Sequence, residues 1–163
     1  MIRGAIFDAD GTLLDSMGLW DTVGDRYLRS LGIDPEPGLR QILFPMSLSQ
    51  CAAYLRERYQ LGLSCEEIEG GINRTILAFY QTQVEAKTGA QDFLRALRSR
   101  GVRTYLATAT DRKVITAGLS RTGLLPLLDG LVTCGDLGVD KNAPTIFDYA
   151  RDQMGTATED TWV

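Results

Sequence analysis

Arg3 to Phe7, Val102 to Ala107 and Leu131 to Cys134 are short, mostly apolar runs, separated by segments with helical spacing. Each is bounded by a turn signal: Asp8-Ala9-Asp10-Gly11 closes the first, Gly101 opens the second and Asp129-Gly130 opens the third. Runs of this kind read as strands buried on both faces, the pattern of a parallel sheet. Between the first two, Phe93, Leu94 and Leu97 share one face of a helical pattern. A second helix is expected from about Asp111, with Thr110 as its N-cap, to near Gly123. A third follows Pro144 and runs through Met154 to a stop at Gly155, and Thr161-Trp162-Val163 opens a fourth strand. Strand-helix alternation of this sort implies a doubly wound α/β architecture with a parallel sheet.

Residues 16–85 break that rhythm. Helices are expected near Met17–Leu31, Ser47–Gln60 and Ser64–Val84, with a loop at Asp34-Pro35-Glu36-Pro37-Gly38. Ser47-x-x-Gln50 and Ser64-x-x-Glu67 have capping-box spacing. Ile68, Ile72, Ile76 and Phe79 recur at helical intervals and read as one buried face. The simplest organisation is an α/β core made of residues 1–15 and 86–163, with an all-helical insert at 16–85. Such an insert leaves the sheet at the carboxyl end of the first strand, where open α/β sheets bind ligands.

Composition removes several classes of function. The chain has no histidine, which excludes Ser-His-Asp hydrolases, Cys-His proteases and His-ligated zinc enzymes. A net charge of -4 with no basic block argues against a nucleic-acid partner. No apolar stretch approaches the ~20 residues of a membrane span, and the N-terminus carries no signal-peptide pattern. Three scattered cysteines without a CxxC fit reduced thiols, so a cytoplasmic location is expected.

Asp8-Ala9-Asp10-Gly11-Thr12 concentrates the chemistry at the end of the first strand. Two carboxylates two residues apart repel each other unless a cation offsets them. A carboxylate can attack phosphorus and split one hard displacement into two easier ones. A second carboxyl group can protonate the leaving alcohol and later take a proton from water. Hard oxygen ligands suit Mg²⁺, which offsets phosphate charge so that an anionic nucleophile can approach. Gly11 lets the backbone come close to a phosphate, and exposed N–H groups there can bond its oxygens.

With these residues the sequence resembles the haloacid dehalogenase superfamily, in its phosphatase-like branch with a helical cap, over essentially the whole chain. The resemblance implies a Rossmann-like core with residues 16–85 as the cap. It implies Asp8 as the nucleophile that becomes phosphorylated, and Asp10 as the general acid/base whose backbone carbonyl joins Asp8 in binding Mg²⁺. Leu106-Ala107-Thr108-Ala109-Thr110 resembles the family's second motif, which gives Thr108 and the Ala109 amide to the phosphoryl oxygens. Lys141-Asn142-Ala143-Pro144-Thr145-Ile146-Phe147 is similar to the third motif, usually Lys-Pro-x-Pro-Asp-x-Phe. Asn142 and Thr145 depart from it, while Lys141 keeps the charge that would hold nucleophile and phosphate. The fourth motif is an acidic pair after a further strand that helps hold Mg²⁺. Glu159-Asp160 precedes the strand-like Trp162-Val163 and is not that pair. The resemblance therefore implies a core that is C-terminally incomplete, with the pair beyond Val163.

Within the superfamily the residues separate several reactions. Asp10 disfavours dehalogenation and the ion-pumping ATPases, which do without a second Asp. No lysine precedes Lys87, so the insert cannot form the Schiff base of phosphonoacetaldehyde hydrolysis. A Mg²⁺-dependent phosphatase acting on a small phosphorylated metabolite is the reading favoured. One alternative is a β-phosphoglucomutase-like phosphotransferase, whose cap normally carries a His that this chain lacks. The other is a truncated, non-catalytic phosphate-binding relative.

Overall fold

The computed structural model describes residues 1–139 and 144–163. Its sheet contains β1 (Gly4–Phe7), β2 (Arg103–Thr108), β3 (Gly130–Thr133) and β4 (Thr161–Trp162), in the spatial order β3-β2-β1-β4. Every pairing is parallel. Parallel neighbours cannot be joined by hairpins, so each connection must cross over a face of the sheet. Between β1 and β2 the chain forms α1 (Met17–Ser30), α2 (Leu39–Leu43), α3 (Leu48–Arg58), α4 (Cys65–Thr82) and α5 (Ala90–Ser99), of which α5 packs on the sheet. It continues with α6 (Arg112–Arg121) between β2 and β3, then α7 (Cys134–Leu137) and α8 (Thr145–Met154) before β4. The doubly wound parallel α/β architecture expected from the sequence is the one formed. Among the described residues, no helix is long and apolar enough to cross a membrane.

The chain divides into two compact units, one of Met1–Met17 with Tyr80–Val163 and one of Gly18–Phe79. In the first, side chains alternate between the two faces of the sheet. Ile6, Ala107 and Val132 point to one face and bury against Ile146, Ala150 and Met154 of α8. Phe7 points to the other face, where its ring meets Phe93 of α5 edge-on at 6.1 Å. Leu94 is the fully buried residue of the Phe93-Leu94-Leu97 face, whereas Phe93 stays half exposed. Gly155, with φ +65°, caps α8 as its position after Met154 suggests.

Two local expectations need correction. Cys134 is not the end of a strand: β3 stops at Thr133, and Cys134 opens α7. Thr133 and Asp136 form a reciprocal capping box there, a stronger local signal than the apolar run before it. The N-cap of α6 is Asp111, not Thr110; its carboxylate accepts from the Lys113 and Val114 N–H groups at 2.9 and 3.3 Å.

The helical unit carries both capping boxes read from the sequence, at Ser47/Gln50 and Ser64/Glu67. The proline-rich loop is pinned by Glu36, which accepts from Arg58 at 2.7 Å and from the Tyr54 hydroxyl at 2.9 Å. Helix α2 follows it without any side-chain cap, so nothing local announced it. Ile68, Ile72 and Ile76 are buried along α4, while Phe79 is only partly covered beneath the Arg26 guanidinium. Ile68→Ala empties a fully buried position and is expected to cost about 2–5 kcal/mol, read from denaturant unfolding.

Candidate active site

The strand order places the site. From β1 the chain builds outward to β2 and β3, then returns to the opposite side of β1 with β4. The carboxyl end of β1 therefore lies beside the topological switch point, where the loops above the sheet diverge and leave room for a ligand. Asp8 follows β1 directly, half-buried, with its Oδ1 accepting from the Ala9 N–H at 2.7 Å. Thr108 ends the neighbouring β2 and is almost fully buried, and Ala109 behind it is exposed. Phe7 pairs with Leu106, so the two strands present Asp8 and Thr108 at the same edge of the sheet.

The loop after Asp8 is wound tightly on its own backbone. The Ala9 carbonyl accepts from Thr12, Leu13 and Leu14 at 3.2, 2.9 and 2.9 Å, and the Gly11 N–H donates to Leu14 at 2.9 Å. Gly11 sits at φ +78°, a left-handed conformation that a side chain would strain. Asp15 and Lys87 N–H groups donate to Glu85 and Leu13, which anchors the loop's exit to the returning chain.

Asp10 is held by hydroxyls from three separate segments. Its Oδ1 accepts from Ser16 Oγ at 2.6 Å and from the Tyr80 hydroxyl, and its Oδ2 accepts from Thr110 Oγ1 at 2.5 Å. Thr110, expected as a helix cap, thus spends its hydroxyl on Asp10, while its N–H donates to Thr108 Oγ1 at 3.1 Å. Ser16 and Thr110 lie close in sequence to Asp10 and Thr108, and could have been suspected on that ground. Tyr80 is 70 residues from its partner and left no such signal.

Just beyond Thr110, Arg112 donates to both Asp136 oxygens, at 2.8 and 2.6 Å, and to the Leu131 carbonyl at 3.2 Å. This fork ties the start of α6 to the end of β3 and so steadies the loop carrying Thr108 to Thr110. The guanidinium, followed by the Thr133 N–H, holds the Asp136 carboxyl well below the usual carboxylate range despite partial burial. A carboxyl depressed on folding stabilises the fold above its unfolded value and loses that contribution as pH falls. Arg112→Ala is expected to lower the thermal midpoint at neutral pH, with the gap between parent and variant beginning to narrow at about pH 4 and closing as the pH falls further.

For a metal ion the residues offer hard oxygens, the Asp8 carboxylate and the Asp10 carbonyl. The loop's N–H groups converge on the Ala9 carbonyl instead of that of Asp10. Among the described residues no cluster of three or more acidic or thiol side chains surrounds the position. The donor set fits part of a Mg²⁺ shell, an ion that keeps several waters and takes substrate phosphate oxygens. Lys141 lies outside the described residues.

The sequence profile of the haloacid dehalogenase-like hydrolases matches residues 2–163. A Bacillus subtilis (strain 168) protein, YhcW, provisionally named a phosphatase, is 23% identical over 158 residues, or 96% of this chain and 71% of that protein. Among solved structures, a Thermotoga maritima protein provisionally described as a β-phosphoglucomutase superposes with a TM-score of 0.88 at 20% identity. That match covers 98% of this chain and 74% of the other. The hydrolase-like YfnB of Bacillus subtilis, solved bound to magnesium, superposes with a TM-score of 0.79 at 18% identity, over 98% and 76% of the two chains. At such identities the structures speak for the fold, and the profile match speaks for the family: this chain belongs to the haloacid dehalogenase-like hydrolases.

Proposed function

We propose that this chain is a Mg²⁺-dependent phosphatase that hydrolyses a small phosphate monoester through an aspartyl-phosphate on Asp8, in the cytoplasm. The observation that carries the reading is the juxtaposition at one strand end: Asp8 directly after β1, and Asp10 held by three hydroxyls on the same loop. An Asp8 carboxylate oxygen attacks phosphorus, the P–O bond to the alcohol breaks, and Asp10 gives the departing oxygen its proton. Water then attacks the phosphorus of the acyl phosphate, Asp10 takes a proton back, and inorganic phosphate leaves with the Asp8 carboxylate restored. Thr108, the Ala109 N–H and Lys141 are the groups assigned to the phosphoryl oxygens; the Gly11 N–H, expected among them, is spent on the Leu14 carbonyl, and Gly11 serves the tight turn instead. Bound between Asp8 and the Asp10 carbonyl, Mg²⁺ would offset the charge of carboxylate and phosphate. The helical unit, Gly18–Phe79, is assigned the role of a cap that selects the substrate. Three free thiols fit the reducing compartment.

The test is phosphate release from p-nitrophenyl phosphate with Mg²⁺, set against Asp8→Asn, with β-glucose 1-phosphate as a second substrate. Asp8-dependent free phosphate supports the phosphatase. Glucose 6-phosphate without free phosphate would assign a mutase, and equal background signals from parent and variant would leave binding without turnover.

A further inference from the structure

We infer that Tyr80 is a positioning residue for Asp10, its buried phenol hydroxyl fixing the carboxylate so that Oδ2 is the oxygen that exchanges the catalytic proton. The inference rests on the phosphatase reading above. Tyr80 is fully buried, and a buried tyrosine hydroxyl has to find a polar partner. The partner is Asp10 Oδ1, which also accepts from Ser16 at 2.6 Å. A carboxylate oxygen has two good acceptor directions, so Oδ1 is saturated. Among the described residues Oδ2 accepts from Thr110 alone, at 2.5 Å, which leaves it one direction for a leaving group or a water.

The ring itself is seated by the fold. It lies against Gly118 of α6, where an added Cβ would fall 2.7 Å from Tyr80 Cδ1 and 3.3 Å from both Leu14 and Val84. Leu14 belongs to the same tight loop as Asp10, with its N–H on the Ala9 carbonyl. Gly118 thus leaves the space in which the ring can reach the acid, and the hydroxyl is aimed by packing on its far side. A carboxylate held from three segments does not have to be reoriented when the proton moves.

The test is Tyr80→Phe, which keeps the ring and removes only the hydroxyl, assayed with two aryl phosphates in parent and Asp10→Asn backgrounds. Phenyl phosphate needs its leaving oxygen protonated more than p-nitrophenyl phosphate does. The expected result is a 10- to 100-fold lower kcat on phenyl phosphate, a smaller loss on p-nitrophenyl phosphate and an unchanged KM. In the Asp10→Asn background the substitution is expected to cost nothing further. Gly118→Ala, which displaces the ring without removing its hydroxyl, is expected to reproduce the leaving-group dependence. Parent-like kcat, equal losses on both substrates, or equal losses in both backgrounds would overturn the role of Tyr80 and leave the phosphatase standing. No Asp8-dependent turnover in the parent would overturn both.

Discussion

Asp8→Asn is expected to abolish detectable Mg²⁺-dependent phosphate release, a loss on the order of 10⁶-fold. An amide of the same shape carries no charge and cannot open the displacement at phosphorus. Its carbonyl oxygen can still accept the Ala9 N–H that Asp8 Oδ1 accepts at 2.7 Å, so the loop keeps its local bond. The variant should therefore still fold, which a thermal melt checks. Loss of turnover with an intact fold separates a nucleophile from a residue that merely closes the strand.

Asp10→Asn is expected to lower kcat by about 10² to 10⁴-fold, the range of a positioned general acid/base. The loss should be greater for poor leaving groups, because a departing alkoxide needs the proton more than a stabilised phenolate does. The structure adds a second consequence. Three hydroxyls aim at this carboxylate, and an amide offers only one oxygen to accept from them. Ser16, Tyr80 or Thr110 must turn to accept from the new NH₂, so some thermal stability should go with the activity. Asp8→Asn keeps the bond from the Ala9 N–H, and the pair of variants is compared by stability as well as by rate.

The sheet could be read from the sequence because a strand buried on both faces leaves a dense apolar run. Ala5 and Ile6, Leu106 and Ala107, and Val132 all fall in such runs, and all are buried. Asp8 and Asp10 were visible because the loop that bears them is local: Gly11, the Ala9 carbonyl and the tight turn lie within a few residues. Where the reading failed, competing local signals were closely balanced. Cys134 continues an apolar run, yet the capping box of Thr133 and Asp136 turns the chain into α7 one residue earlier. Thr110 and Asp111 are both good caps, and the choice fell to Asp111 once the Thr110 hydroxyl was committed to Asp10. Tyr80 could not be found at all. Its role depends on α4 returning to the loop after β1 and on the space above Gly118, and neither is written in the residues beside it.

The most direct measurement is to quench the enzyme in acid during turnover, reduce any acyl phosphate with borohydride, and locate the product by peptide mass spectrometry. Reduction of an aspartyl-phosphate leaves homoserine, and position 8 is where it is expected, with none formed in Asp8→Asn. Homoserine at another carboxylate, or turnover that yields no reducible acyl phosphate, would contradict the assignment of Asp8 as the nucleophile.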